Sequence, residues 1–286
     1  MHIANPIYDT VFKFLMEDTP SAILLLSTII EEPIVSLEFL PQENIQQLEQ
    51  RSLTVYRLDF CAKIKTPQGY KQVLIEIQKA KLPSDIMRFR RYLGEQYSKK
   101  SNCYEVIKEG KKPTKPQYKP LPIVSIYFLG YPLEHIKVPV IKVNRHYYDV
   151  VGRQEIDLKE EFIESLTHDS YVIQISQLRD THKSEIEQLL AIFDQHKHLE
   201  SDEHILDINE NDYPDKYRSL IRRLQQAIAE PDIRRNMDTE DEILADLQDM
   251  ERVIEETKQE LITSKQEIAE KDKLIAELQQ RLNNEH

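Results

Sequence analysis

The clearest alternation of apolar and polar positions runs from Thr54 to Gln78. Tyr56, Leu58, Phe60, Ala62 and Ile64 alternate with Arg57, Asp59, Cys61 and Lys63, the period-2 pattern of a strand with one buried face. Val73, Ile75 and Ile77 repeat the pattern against Gln72, Leu74, Glu76 and Gln78. Pro67 and Gly69 interrupt both runs, so the spacing predicts a hairpin that sets Asp59 beside Glu76, on the face away from the apolar one.

Other elements follow from the same reading. Residues 6–30 predict two helices: Pro6 in the first turn of one, with Ile7, Val11, Phe12, Phe14 and Leu15 as its apolar side, and Thr19-Pro20 starting the second, which Pro33 ends. Val35 to Leu40 predicts a short strand. Ser84 is a candidate cap for a helix from Asp85 to about Lys99, with Ile86, Phe89, Leu93 and Tyr97 as its apolar face. The proline- and lysine-containing segment Glu109 to Pro122 predicts a loop, and Leu121 to Leu129 a buried strand. Further strands are expected at Val138 to Val143, Tyr147 to Val151 and Tyr171 to Leu178, with a helix near Glu160 to Leu166. Amphipathic helices are expected at Lys183 to His196 and Tyr217 to Ala229.

The tail has a different period. Leu247, Ile254, Leu261, Ile268, Ile275 and Leu282 recur every seven residues, and no Gly or Pro follows Thr239. This predicts a coiled coil over residues 239–284 and a homodimer formed through it. The companion seam position, Met250, Thr257, Ser264, Lys271 and Leu278, is polar in its middle.

Composition adds three constraints. The chain of 286 residues is 40% hydrophobic, enough for one sizeable core plus an appendage. Its longest apolar run, Ala22 to Ile30, is too short to cross a bilayer, and no secretory pattern is present. Cys61 and Cys103 have neither disulfide-framework nor zinc spacing, so the expected location is the cytoplasm. The net charge of −12 is uneven: residues 1–115 carry 17 Lys and Arg against 14 Asp and Glu, and the remainder 21 against 36. A basic stretch from Lys79 to Lys115 is suited either to phosphate or to solvent. His182, His196, His198 and His204 form no coherent ligand set and read as surface histidines. No GxGxxG, P-loop, GxSxG or HExxH pattern occurs, so no nucleotide cofactor is expected.

Two carboxylates on neighbouring strands repel unless a cation or shared proton lies between them, and oxygen ligands select Mg²⁺ or Mn²⁺. Spacing alone equally fits two carboxylates on the wet face of a hairpin. Asp59 followed by Ile75-Glu76-Ile77-Gln78 resembles the D…ExK core of the PD-(D/E)XK nucleases. The resemblance is greatest to the branch called PD-(D/E)XK nuclease family transposases, related to the recombination-promoting nucleases, in which the lysine is often Gln. Tyr8-Asp9-Thr10-Val11-Phe12-Lys13 resembles that branch's opening motif, Arg88-Phe89-Arg90-Arg91-Tyr92 the helix after its E-x-Q strand, and Pro122 to Ile126 its next strand.

The resemblance implies a mixed α/β fold, restriction-endonuclease-like over residues 1–135, with an α/β extension over 136–235 before the coiled coil. It implies metal-dependent hydrolysis of DNA, with Asp59, Glu76 and Asp9 toward Mg²⁺ or Mn²⁺ and Gln78 at the lysine position, where it orients water but brings no charge. Lys13 or Lys63 is then the candidate for the missing charge, while Lys79 is expected to point away from Gln78. From spacing alone, Asp9 and Lys13 also fit a surface ion pair, and Arg88 and Arg91 face phosphate or solvent. A silent nuclease fold serving as an oligomeric adaptor, and a nuclease acting on RNA, are the alternatives.

Overall fold

The computed structural model describes residues 1–40, 60–81, 85–105, 118–178 and 184–284. The chain divides into two compact units, Met1–Met237 and Asp238–His286. Asp59 lies outside the described residues, as do Thr54 to Leu58, Ser84 and His182.

The first unit is mixed α/β. Its strands are β1 (His2–Ala4), β2 (Ser36–Phe39), β3 (Phe60–Thr66), β4 (Gly69–Gln78), β5 (Cys103–Glu105), β6 (Tyr118–Pro120), β7 (Ile123–Leu129), β8 (Val140–Val143), β9 (Tyr147–Asp149), β10 (Gln154–Ile156), β11 (His168–Gln174), β12 (His198–Leu199) and β13 (Asp202–Asp207). Its helices are α1 (Asp9–Glu17), α2 (Thr19–Ile30), α3 (Asp85–Ser98), α4 (Glu161–Leu166), α5 (Glu185–Leu190), α6 (Arg218–Ile228) and the first turns of α7 (Pro231–Asn284). Among the described residues, six strands form one sheet in the order β2-β3-β4-β7-β11-β8. The first three make an antiparallel meander, β4, β7 and β11 run parallel, and β8 closes the edge antiparallel to β11.

The hairpin forms where the sequence places it. Thr66 pairs with Gly69 at its turn, and Gly69 takes φ 131°, a conformation open to glycine but strained for side-chain-bearing residues. The two faces of the sheet are both covered. Val73 and Ile75 join Ala62, Ile64, Ile126 and Phe128 in a large core with α1, α2, α5 and α6. On the reverse face, Cys61, Leu74 and Ile123 are sealed by Phe89 and Tyr92 of α3. Gln72, Leu74, Glu76 and Gln78 are therefore buried rather than wet, because the β4 to β7 crossover lays α3 across them.

Polar contacts fix that helix in place. The Gln72 amide donates to Gln96 Oε1 at 2.8 Å, and Asn102 donates to the same oxygen at 2.9 Å. Burial raises the pKa of the Cys61 thiol beneath them, which also accepts a hydrogen bond from Gln72. Opposite, Gln174 at the end of β11 is wholly buried and clamps the loop between β7 and β8. Its amide donates to the carbonyls of Ile136 and Val138, and its oxygen accepts from Leu133 N at 2.6 Å.

Several boundaries differ from expectation. Pro6 lies in a turn rather than a helix, because Asn5 Oδ1 accepts from Ile7 N and the Asn5 carbonyl from Tyr8 N. The preceding residues form β1, which pairs with β13 some 200 residues later. Helix α2 starts with Asp18 accepting from Ser21 N at 3.0 Å, and Glu31 ends it in the left-handed conformation. Helix α7 begins at Pro231, earlier than the expected start at residue 239, because Ile233 and Met237 bury in the core of the first unit. The second unit is the continuation of this helix, with Ile254, Leu261, Ile268 and Ile275 each about half exposed. No described helix is long and apolar enough to cross a membrane.

Candidate functional site

The candidate site is built on the last turns of the pleat of β4. Glu76 belongs to the α3 face and is 1% exposed. Arg88 is 17% exposed and donates from Nη2 to Glu76 Oε1 at 2.8 Å. Arg88 reaches the sheet because it lies one helical turn before buried Tyr92, so the two share a face. Ile86 and Tyr97, expected on the apolar face, are exposed instead, and Arg91 also faces solvent.

An ionised carboxylate taken from water carries a penalty of several kcal/mol unless a cation and hydrogen bonds meet it. Arg88 supplies that charge. Tyr127, opposite Glu76 on β7, packs its ring 4.2 Å from that of Phe89. Burial pushes the Tyr127 phenol well above its ordinary value, and the negative charge of Glu76 pushes the same way. The phenol therefore stays protonated.

Gln78, two residues on, is also buried, and Tyr131 donates to its Oε1 at 2.9 Å. The Gln78 carbonyl accepts from Gly130 N at 2.8 Å. Glycine is needed there for closeness of approach: a Cβ would lie 2.4 Å from the carbonyl oxygen of Lys79. Lys79 points to the opposite face, as the alternation predicts. Its ammonium donates to the Tyr8 hydroxyl at 2.6 Å and lies 4.1 Å from that ring's centroid.

This contact brings the start of α1 beside the end of β4. Asp9 begins α1 and pairs with Lys13 one turn later, each about a third exposed. Lys63 does not reach Glu76: it lies over the Tyr70 ring and pairs across the hairpin with Gln72, four residues earlier in β4, about 13 Å along the strand. Arg88 is a cation bonded to Glu76, carried inward by its helical register with buried Tyr92. The hairpin register ends at Phe60 with Ile75, the residues immediately adjoining Asp59 and Glu76.

Among the described residues no group of three or more His, Cys, Asp or Glu side chains could hold a metal. Glu76 and Asp9 are hard oxygen donors, the type that suits Mg²⁺ or Mn²⁺, and Asp59 is of the same chemistry. The histidines split: His196 and His198 are exposed and bonded to Asp194 and the Gln195 carbonyl, whereas His204 is buried edge-on against Tyr8. His204 is thus a core residue, correcting its surface assignment.

A second polar centre lies at the other end of the sheet. Arg145 grips Asp169 with two hydrogen bonds of 2.9 and 3.1 Å and contacts Glu164 at 2.8 Å. His168 beside it is bonded to the Tyr97 hydroxyl, and burial, followed by the Arg145 charge, lowers its pKa. No known protein family, curated protein or solved structure matches this chain.

Proposed function

We propose that the chain hydrolyses phosphodiester bonds of DNA with the help of Mg²⁺ or Mn²⁺. The observation that carries this reading is a carboxylate, Glu76, buried under a basic helix and held by Arg88, one residue beyond the hairpin register that leads to Asp59. Perturbed and buried ionisable groups concentrate where chemistry is done.

In this reading Glu76 and Asp59, with Asp9 nearby, would hold the cation, which would supply Lewis acidity toward phosphate and a more acidic water. Arg88 orients Glu76, and exposed Arg91 provides positive charge for a phosphate. Tyr127 contributes a neutral phenol. Gln78 brings an amide where the resembling family has lysine, so the positive charge of this site comes from helix α3. The fold reading that accompanies this is a restriction-endonuclease-like core over residues 1–135, extended by 136–235.

The Arg88–Glu76 pair also favours a second reading, a nuclease-like fold whose carboxylate is neutralised from within and which acts as an oligomeric adaptor. Incubation with supercoiled plasmid in Mg²⁺, in Mn²⁺ and in chelator separates the two. Metal-dependent nicking that Glu76→Gln and Asp59→Asn each abolish is the expected result. DNA binding without nicking in either metal selects the adaptor.

A further inference from the structure

A cleft of about 580 Å³ opens at the carboxyl ends of the parallel strands, between α3 and the loop that Gln174 clamps. Its lining is dominated by apolar and aromatic side chains, including Phe89, Tyr127 and Tyr131, and its size is that of an ordinary small-ligand pocket. Gln78, nine-tenths buried, forms part of the wall. Tyr131 occupies its Oε1, while its Nε2 has no partner among the described residues. The amide is therefore a fixed donor in an otherwise apolar wall.

Charge at the rim is basic. Arg90 is exposed and has no ion-pair partner among the described residues; Lys81 is exposed and shares its charge with Glu134 at 3.2 Å. An aromatic and apolar interior, one oriented amide donor and cations at the mouth together match a nucleobase with its flanking phosphate. Base faces stack on aromatic rings, and an amide reads a base edge.

We infer that this cleft receives one unpaired base of the nucleic acid handled at Glu76, so that the substrate class is single-stranded or locally unpaired DNA. The inference takes its nucleic-acid partner from the hydrolytic reading and adds strandedness to it. Bases in a duplex have both faces stacked against neighbours, so only an unstacked base can enter. The wall carrying Gln78 and Tyr127 is built from β4 and β7, and β4 also carries Glu76 two residues before Gln78, so the cleft adjoins the strand end that holds the carboxylate.

The test is fluorescence anisotropy of the full chain in chelator, where cleavage plays no part. The probes are a labelled single strand of about 20 nucleotides, a strand of equal length made of abasic sites, and the corresponding duplex. The base-bearing single strand should bind about tenfold more tightly than the abasic strand. Tyr131→Ala should remove that preference, with little change in abasic binding. Ile86→Asp, at an exposed position on the cleft where folding is not at stake, should weaken the base-bearing strand more than the abasic one. Equal affinity for the two strands, tighter binding of duplex, or an unchanged preference in both variants overturns the inference. A chain that prefers bases yet never nicks plasmid refutes hydrolysis and leaves the cleft standing. Nicking without any base preference does the reverse.

Discussion

Replacing Arg88 by Ala tests the account of the buried carboxylate most directly. Removing one partner of a buried ion pair typically costs about 3–5 kcal/mol, because the other charge is left in a poor solvent. Glu76 is almost wholly enclosed while Arg88 is partly exposed, so the burden falls on the carboxylate. A glutamate in that position can escape by taking up a proton. From an ordinary value near 4.3, doing so at pH 7 costs about 2.7 × 1.36, or about 3.7 kcal/mol, which sets a ceiling on the loss from stranding the charge; at pH 5 the same ceiling is about 1 kcal/mol. In the variant the folded state then binds the extra proton, so its stability falls as pH rises through that window. The deficit relative to wild type should be about 3 kcal/mol at pH 7, or roughly 6–12 °C in Tm, and should shrink markedly at pH 5. Urea unfolding followed by circular dichroism and tyrosine fluorescence is suitable, since the chain has 14 Tyr and no Trp. Combining Arg88→Ala with Glu76→Gln should recover most of the loss at pH 7. A single variant within 0.5 kcal/mol of wild type, or a deficit unchanged at pH 5, would refute the reasoning.

Two further outcomes follow. We expect the full chain to be a dimer at micromolar concentration and a fragment ending at Asp238 to be a monomer in sedimentation equilibrium, because the half-exposed stripe of Ile254, Leu261, Ile268 and Ile275 recurs at seven-residue spacing; a monomeric full chain sinks this. His168, whose pKa is lowered in the folded state, binds a proton more readily when unfolded. Stability should therefore decline as pH falls below about 6.5, and His168→Gln should flatten that limb of a Tm-versus-pH profile; an identical slope in the variant rules His168 out as its source.

The elements whose partners are local in sequence were legible there. The hairpin of β3 and β4 and the long C-terminal helix carry periods of two and seven, and β7 is a short β-branched apolar run bounded by Pro122 and Gly130. What sits on the α3 face was not legible, since Gln72, Glu76 and Gln78 look like solvent-facing positions until the crossover helix covers them. The spacing of Ile86, Phe89 and Leu93 places Arg88 on the outer side of the helix, facing phosphate or solvent. The actual face is turned toward Tyr92, and that rotation brings Arg88 inward. Likewise, β1 escaped notice because three residues carry no period of their own and are defined only by β13.

That last pairing has a consequence for how the chain is made. His2 to Ala4 pair with residues 205 to 207, and Asn5 exchanges amide hydrogen bonds with Gln195. Helix α1 presents Val11, Phe12 and Leu15 to a core that includes Phe193 and Leu220. At about 5–20 residues per second, the amino-terminal segment spends about 10–40 s of synthesis before the strand that completes its sheet exists. During that interval an apolar helix face is without its cover, and closure over so long a separation is among the slow steps of folding. Until β13 is made, the segment of β1 and α1 is thus exposed to aggregation and to chaperone capture, and cutting the chain short anywhere before β13 leaves that segment unfinished.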